Sequence, residues 1–304
     1  METRHPGHVA VLGQLARDLV LQVDAVPDAG GSSPVRQRRE LLGGKGANHA
    51  LGLRQLGNAV ELIAVAGDDP AGASALHEAV EQGIGVACAA RRGTTALLVD
   101  VVDSGGARRL LEHVPGDALL TADDVHRASA AITAADTVCL QLQQPAEALL
   151  AAAEIATRAQ ARIVLDGAIE GDARDELLTR AQVVRADAAE AALLTGREIG
   201  DLDAARRAAA ELLRRGPELV AIGVPGAGDL IAWHGDDAFL RFADSRVVDV
   251  TGGGDAFLAG LVTGVRRGWS PERSGRLAAA AASATVQLLG GRPELGRLRP
   301  DGAQ

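Results

Sequence analysis

The sequence predicts a doubly wound α/β fold, a mostly parallel sheet with helices on both faces, and a small β-sheet projecting from it. Three observations point there. From about residue 121 onward, short apolar runs alternate with stretches whose apolar residues recur at helical spacing. Such continuous apolar runs are the habit of parallel strands buried on both faces. Apolar residues make up 47% of the 304 residues while aromatics are only 2%, so one large core of Ala, Leu and Val is expected. Finally, two strand-rich pieces at about 17–42 and 86–114 break the alternation and are expected to form the projecting sheet.

Element by element, the chain opens on a buried-strand pattern, HVAVLG (His8–Gly13). A polar region punctuated by Pro and Gly follows to Gly43, then a helical run, ANHALGLRQLG, and a second strand at Ala59–Gly67. Residues 86–114 read as short strands, with a hairpin turning at Ser104-Gly105-Gly106. A helix is expected over about 121–134, then the strand TVCLQL (Thr137–Leu142) and a helix from Pro145, where proline suits a first turn. The strands RIVLD (Arg162–Asp166) and QVVRA (Gln182–Ala186) follow, the second leading into a helix through Leu194. A helix over about 202–215 feeds the strand Glu218–Val224, and two short strands lie near 229–242. Helices at about 254–267 and 271–289 close the pattern. No repeat or low-complexity linker divides the chain, so residues 1–304 read as a single domain.

Composition narrows the function classes. A formal charge of −9 argues against a nucleic-acid surface, which would show as a basic stripe. The two cysteines, Cys88 and Cys139, sit in apolar runs without metal-type spacing and read as buried thiols in a reducing compartment. There is no apolar signal region and no apolar stretch near the ~20 residues a membrane span needs, so a cytoplasmic protein is expected. The seven histidines form no metal-ligand spacing, and no Ser/His/Asp set is visible.

Four stretches carry chemistry. In DVTGGGDAFLAG (Asp249–Gly260) three glycines precede an apolar helical run. Glycines there let the backbone turn and present successive N–H groups at a helix start, where the dipole also favours an anion. Asp255 in the first turn has the chemistry to take a proton from a hydroxyl while the amides hold a transferred phosphoryl group. Taken alone, the stretch equally describes a glycine turn with an aspartate favouring a helix start. In LLGGKGANHA (Leu41–Ala50), Gly43, Gly44 and Gly46 again precede a helix, with Asn48 in its first turn. The lysine here, Lys45, is the only one among 31 basic residues, but the spacing is not that of a P-loop. A tight strand-to-helix connection explains this stretch as well. Asp187 and Glu190 stand three apart at a helix start, which suits either the dipole or a Mg²⁺ ion and its waters. Asp18, after the first strand, is either a sugar-hydroxyl acceptor or a solvated loop residue.

The two glycine motifs together are specific. Gly43 through Ala50, followed by Gly57 and Gly67, resembles the first signature of the PfkB/ribokinase family of sugar kinases, and Asp249–Gly260 resembles the second. The element order matches from about Val9 to about Pro293, and GGKGAN is similar to the ribokinase branch. The resemblance implies a ribokinase-like fold whose projecting sheet is a lid and often the dimer contact, hence a homodimer. It implies Asp255 as the catalytic base and Gly252, Gly253 and Gly254 as the anion hole. Asp18, Gly44, Lys45 and Asn48 would line the sugar pocket, with Gln143 beside them. Asp187 and Glu190 fall at the Asn-x-x-Glu motif tied to Mg²⁺ and phosphate. Asp187, Gly223, Gly226, Gly228 and Gly254 would meet the nucleotide, and Asp249 with the backbone near Gly290 would hold an activating monovalent cation such as K⁺.

Departures from the family pattern fall at the ligands. The Asn-x-Asp pair after the first strand reads Ala16-Arg17-Asp18, and the expected glutamate is Gln143. The Asn of Asn-x-x-Glu is Asp187. The nucleotide loop, Thr-x-Gly-x-x-Gly in the family, reads Gly223-Val224-Pro225-Gly226-Ala227-Gly228, which loses a hydroxyl and gains a residue with no N–H. Glu294 stands where a serine is usual in the cation loop. The resemblance thus implies ATP-dependent, Mg²⁺-requiring transfer of the γ-phosphoryl group to a primary hydroxyl of a small sugar. A nucleoside or other sugar as acceptor, or a catalytically weak sugar- or nucleotide-binding sensor, are the alternatives these departures leave open.

Overall fold

Val9–Leu12 are fully buried, as a strand covered on both faces requires. They lie in β1 (His8–Leu12) of a computed structural model that describes residues 8–244 and 246–298. The chain then leaves the main sheet through β2 (Ala16–Val23) and β3 (Val35–Gly43), an antiparallel pair, and turns into α1 (Lys45–Gln55). It returns to β1 with β4 (Val60–Ile63), extended by the short β5 (Val65–Ala66). Next comes α2 (Pro70–Glu81), capped by the Asp69 carboxylate, which accepts from the Gly72 N–H. The short β6 (Ala90–Arg91) precedes β7 (Ala96–Val102) and β8 (Arg108–His113).

From there strand and helix alternate. The helices α3 (Ala122–Arg127) and α4 (Ser129–Ala134) lead to β9 (Ala135–Gln141), then α5 (Ala146–Arg158), β10 (Arg162–Asp166) and α6 (Asp172–Arg180). They are followed by β11 (Val183–Ala186), α7 (Ala188–Thr195), α8 (Leu202–Leu213) and β12 (Leu219–Val224). The hairpin β13 (Gly228–Trp233) and β14 (Asp236–Arg241) follows, and α9 (Gly253–Arg266) with α10 (Pro271–Thr285) completes the order.

The main sheet has eight strands in the order β14-β13-β12-β11-β10-β9-β1-β4, parallel from β12 to β4 with the terminal hairpin antiparallel. Period-two alternation sorts side chains onto its two faces. Ala10, Leu12, Val138 and Leu140 join the core under α5 and α8, whereas Val9, Val11, Cys139 and Val164 join the one under α1, α9 and α10. Chain progression reverses between β1 and β9, and the crevice outside the carboxyl ends at such a switch point is where open α/β sheets bind ligands.

A second sheet, β3-β2-β7-β8, packs its inner residues Val20 and Val102 against Leu289. It takes up less of the chain than the segment 86–114 suggests, because β6 pairs with β5 instead. Two helices escape the sequence pattern. In α2 the buried positions are Gly72, Ala75 and Ala79, small residues that leave a weak apolar period; α6 is mostly polar and buries only Leu177 and Leu178. The helix expected over 121–134 is broken at Ala128, whose φ −85° and ψ 3° leave the helical well. Among the described residues no helix is long and apolar enough to cross a membrane.

Candidate active site

The helix α9 begins where the glycines allow it to. Gly252 caps it at φ 70°, and a Cβ there would stand 1.7 Å from the Gly291 carbonyl oxygen. Only glycine meets both demands. The buried Asp249 fixes the approach: Oδ1 accepts from the Thr251 N–H (2.9 Å) and hydroxyl (2.6 Å), and Oδ2 accepts from the Gly290 N–H (2.9 Å). With those donors in place Asp249 is a clamp between two loops, and its burial needs no cation to explain it. Gly253 and Gly254 open the first turn, whose N–H groups have no carbonyl within the helix to bond.

The glycines before α1 serve close approach. A Cβ on Gly43 would lie 1.8 Å from the Asp18 carboxyl carbon, and one on Gly44 2.8 Å from the Gln14 carbonyl oxygen. The helix start is thereby pressed onto the segment after β1, and the Ala47 N–H bonds to the Gln14 carbonyl. Asp18 is buried, and its Oδ1 meets no donor among the described residues. Burial first, then the charges of Asp100 and Asp255, push it up to about 7. That is the state of a carboxyl awaiting hydroxyl partners.

Asp255, one turn into α9, is 5% exposed and is gripped from α1. Its Oδ2 accepts from Asn48 Nδ2 at 2.9 Å, and its Oδ1 lies 3.2 Å from His49 Nε2. The same Nε2 is 3.4 Å from Oδ2 of Asp166, at the carboxyl end of β10. Arg185, from β11, reaches Asp166 Oδ1 at 3.2 Å and Glu190 Oε2 at 3.6 Å, while Lys45 donates to Glu190 Oε1 at 2.7 Å. Burial would raise the Asp255 carboxyl, but His49 and then Lys45 outweigh it and hold it below the usual carboxylate range.

Asp187 and Glu190 do not repel across one helix face. They form a reciprocal cap on α7: Glu190 N–H to Asp187 Oδ1 and Asp187 N–H to Glu190 Oε2, both 2.8 Å. Asp187 is exposed and lines a cleft of about 910 Å³ together with Arg185, Gly223, Gly226, Asp229 and Gly254. Apolar Phe242, Val247 and Val250 line the same cleft. Gly228 does not line it. A Cβ on it would strike the Leu240 carbonyl at 2.1 Å, so its glycine serves the β13–β14 pairing. Gln143 is exposed on the turn after β9, where its Oε1 accepts from Gln141 Nε2 at 2.8 Å, and Gln141 Oε1 accepts from the Gln14 N–H.

Sequence reasoning missed His49, Asp166, Arg185 and Asp229. A trace of Asp166 was present, since a lone acid ending an otherwise apolar strand stands at the edge where ligands bind. His49 lies inside the Gly43–Ala50 stretch, where nothing in its spacing marks a role, and Arg185 and Asp229 sit in ordinary polar positions of their strands.

A hydroxyl acceptor needs a base, and a phosphoryl group needs oriented N–H donors and cations. Asp255 beside the α9 start, with Lys45 and Arg185 next to a large cleft, supplies each of these. The arrangement is that of a phosphotransferase with an alcohol group as acceptor. The chain belongs to the pfkB family of carbohydrate kinases, whose family model matches residues 7–295. It is 27% identical over 285 residues to a ribokinase of Haemophilus influenzae, covering 93% of each chain. It is 31% identical over 260 residues to a 1-phosphofructokinase of Rhodobacter capsulatus, covering 82% of this chain and 80% of that one. The structure of an Arabidopsis thaliana ribokinase complexed with ribose and ATP shares the fold, with a TM-score of 0.78, 24% identity and 94% of each chain covered.

Proposed function

We propose that this protein is an ATP-dependent kinase that transfers the γ-phosphoryl group to a primary hydroxyl of a small sugar. The observation that carries the reading is the buried Asp255 carboxylate, held ionised at the N-terminus of α9 beside the glycine amides. Asp18, Gly44, Lys45 and Asn48 form the acceptor side. The sugar hydroxyls would supply the donors that Asp18 Oδ1 lacks. Asp255 takes the proton of the attacking hydroxyl, and Gly252, Gly253 and Gly254 hold the charge on the transferred group. ATP fits the cleft, with its base against the apolar wall and its phosphates toward Arg185, Gly223 and Gly226.

An exposed carboxylate suits Mg²⁺, a hard cation that takes oxygen ligands and keeps several waters. Asp187 faces the cleft and Glu190 is already engaged by Lys45, so Asp187 would hold the ion, largely through water. The ion would neutralise charge on the phosphates. A homodimer through the small sheet belongs to the same reading, because its edge strands leave Val35 and Leu111 exposed.

An ADP-release assay over pentoses, hexoses, their monophosphates and nucleosides, with Mg²⁺ and with or without K⁺, tests the reading. Turnover on one acceptor class supports it. Ligand-induced thermal stabilisation without turnover on any of them would favour a binding module instead.

Asp229 yields a prediction of its own. Burial pushes its carboxyl up to about 6, against the opposing pull of Arg185. It is therefore neutral at lower pH and becomes charged as pH rises through that value. Charge there faces the phosphates of ATP, so Asp229→Asn is expected to lower the KM for ATP about fivefold at pH 8 and hardly at pH 5. Initial rates at the two pH values check this, and an equal effect at both would refute it.

A further inference from the structure

We propose that His49 is a positioning residue for Asp255, a buried imidazolium that keeps the base carboxylate ionised and aimed at the acceptor. This rests on the reading of Asp255 as the base. The two oxygens of Asp255 are held by consecutive residues of α1, Oδ2 by the Asn48 amide and Oδ1 by His49 Nε2 at 3.2 Å. His49 is fully buried, and its Nε2 faces Asp166 Oδ2 at 3.4 Å as well. Neither contact has the alignment of a full hydrogen bond, but at these distances both carboxylates still hold the ring by polar contact and by charge.

Charge decides the protonation state. The carboxylates meeting here are Asp255 from α9, Asp166 from β10 and Glu190 from α7. The fixed cations are Lys45 from α1 and Arg185 from β11, one fewer. A protonated His49 brings the buried cluster to neutrality, and a neutral one leaves a carboxylate uncompensated out of water. Of the other titratable groups nearby, the Cys139 thiol on β9 is pushed up to about 12 by burial and stays neutral. Burial pushes Asp18 on β2 up to about 7 and Asp229 beside Arg185 up to about 6, so each adds negative charge as pH rises through its value, which favours the imidazolium further. Burial opposes a charge on His49, but Asp166 and then Asp255 outweigh it and lift the imidazole to about 9. The cation is thus present through the neutral range and is lost as pH rises through about 9.

Because His49 already carries its proton, it does not receive the one taken from the acceptor hydroxyl. Its part is electrostatic: it keeps Asp255 ionised at mildly acidic pH and fixes which lone pair faces the substrate. Asp166 acts through His49, facing the same Nε2 that Asp255 faces. The side chains of His49, Asp166 and Asp255 also lie close enough together to ligate one metal ion. A divalent ion there would have to displace the imidazolium proton and sit beside Lys45 and Arg185, which disfavours it.

Two measurements test the proposal. Histidine-selective ¹³C/¹⁵N NMR of the wild-type protein, with the resonance assigned by its absence in His49→Gln, should show His49 protonated past pH 8. Asp166→Asn should move its deprotonation down by a unit or more and gives a second assignment should His49→Gln not fold. A His49 signal that is neutral at pH 7 overturns the proposal whether or not a sugar substrate has been found, so this arm does not depend on kinase activity. The second measurement is the pH profile of kcat/KM. In His49→Gln the acidic limb should rise by about one unit or more, because the opposite charge beside the base is gone. A uniform loss with an unshifted limb would reduce His49 to a structural role. Stoichiometric zinc or manganese in the purified protein, lost in His49→Gln, would replace the imidazolium with a metal centre.

Discussion

Asp255→Asn is expected to lower phosphoryl transfer by about 10³–10⁴-fold while acceptor binding survives, since a positioned general base contributes in that range. The substitution keeps the size of the side chain and its contact with Asn48 Nδ2, reversible by amide rotation, but removes the only acid in the first turn of α9. The other residues proposed to hold the acceptor, Asp18, Gly44 and Lys45, are untouched. Coupled ADP release measures the loss, and calorimetric titration with the acceptor measures the binding. Turnover within tenfold of wild type would take Asp255 out of the role of base.

Gly252→Ala should damage both stability and rate, and for one geometric reason. The new methyl would lie 1.7 Å from the Gly291 carbonyl oxygen, which is backbone and cannot swing aside, at a residue whose φ is 70°. A left-handed non-glycine residue and an overpacked contact each cost about 1–3 kcal/mol, so about 2–6 kcal/mol of stability should be lost in urea unfolding. The start of α9 must shift to relieve the clash, and misplaced phosphoryl donors should cost about a hundredfold in kcat. Gly235→Ala is the control. Gly235 has φ 95° but open space where its Cβ would go, so only the conformational cost applies and the rate should stay unchanged. Equal stability loss in both variants would mean the Gly291 contact carries nothing.

Much of the scaffold was legible along the chain. RIVLD is a strand with the expected bounds because a parallel strand covered on both faces has to be apolar throughout. The helices α2 and α6 were not legible, since one buries only small residues and the other barely two leucines. At the site, Asp255 and the glycines of both motifs were legible because the demand they answer is local: a tight turn, a close approach, an N–H at a helix start. The Asp187–Glu190 pair was legible as a pair and not as a cap, since reciprocal bonding depends on the β-region backbone that Asp187 adopts.

By itself the sequence determined the α/β alternation, the projecting sheet and two glycine motifs whose joint occurrence matches a family of sugar kinases. These rest on short-range physics, the periodicity of burial and the conformational range of glycine. Only the tertiary structure decided what Lys45 and His49 do. The lone lysine meets Glu190 and the histidine meets Asp166 and Asp255, partners more than a hundred residues away in sequence. Charge neutrality in a buried cluster is a property of the space where strand ends and helix starts converge. It leaves no period and no spacing in the chain, so it became readable only once the fold had brought those ends together.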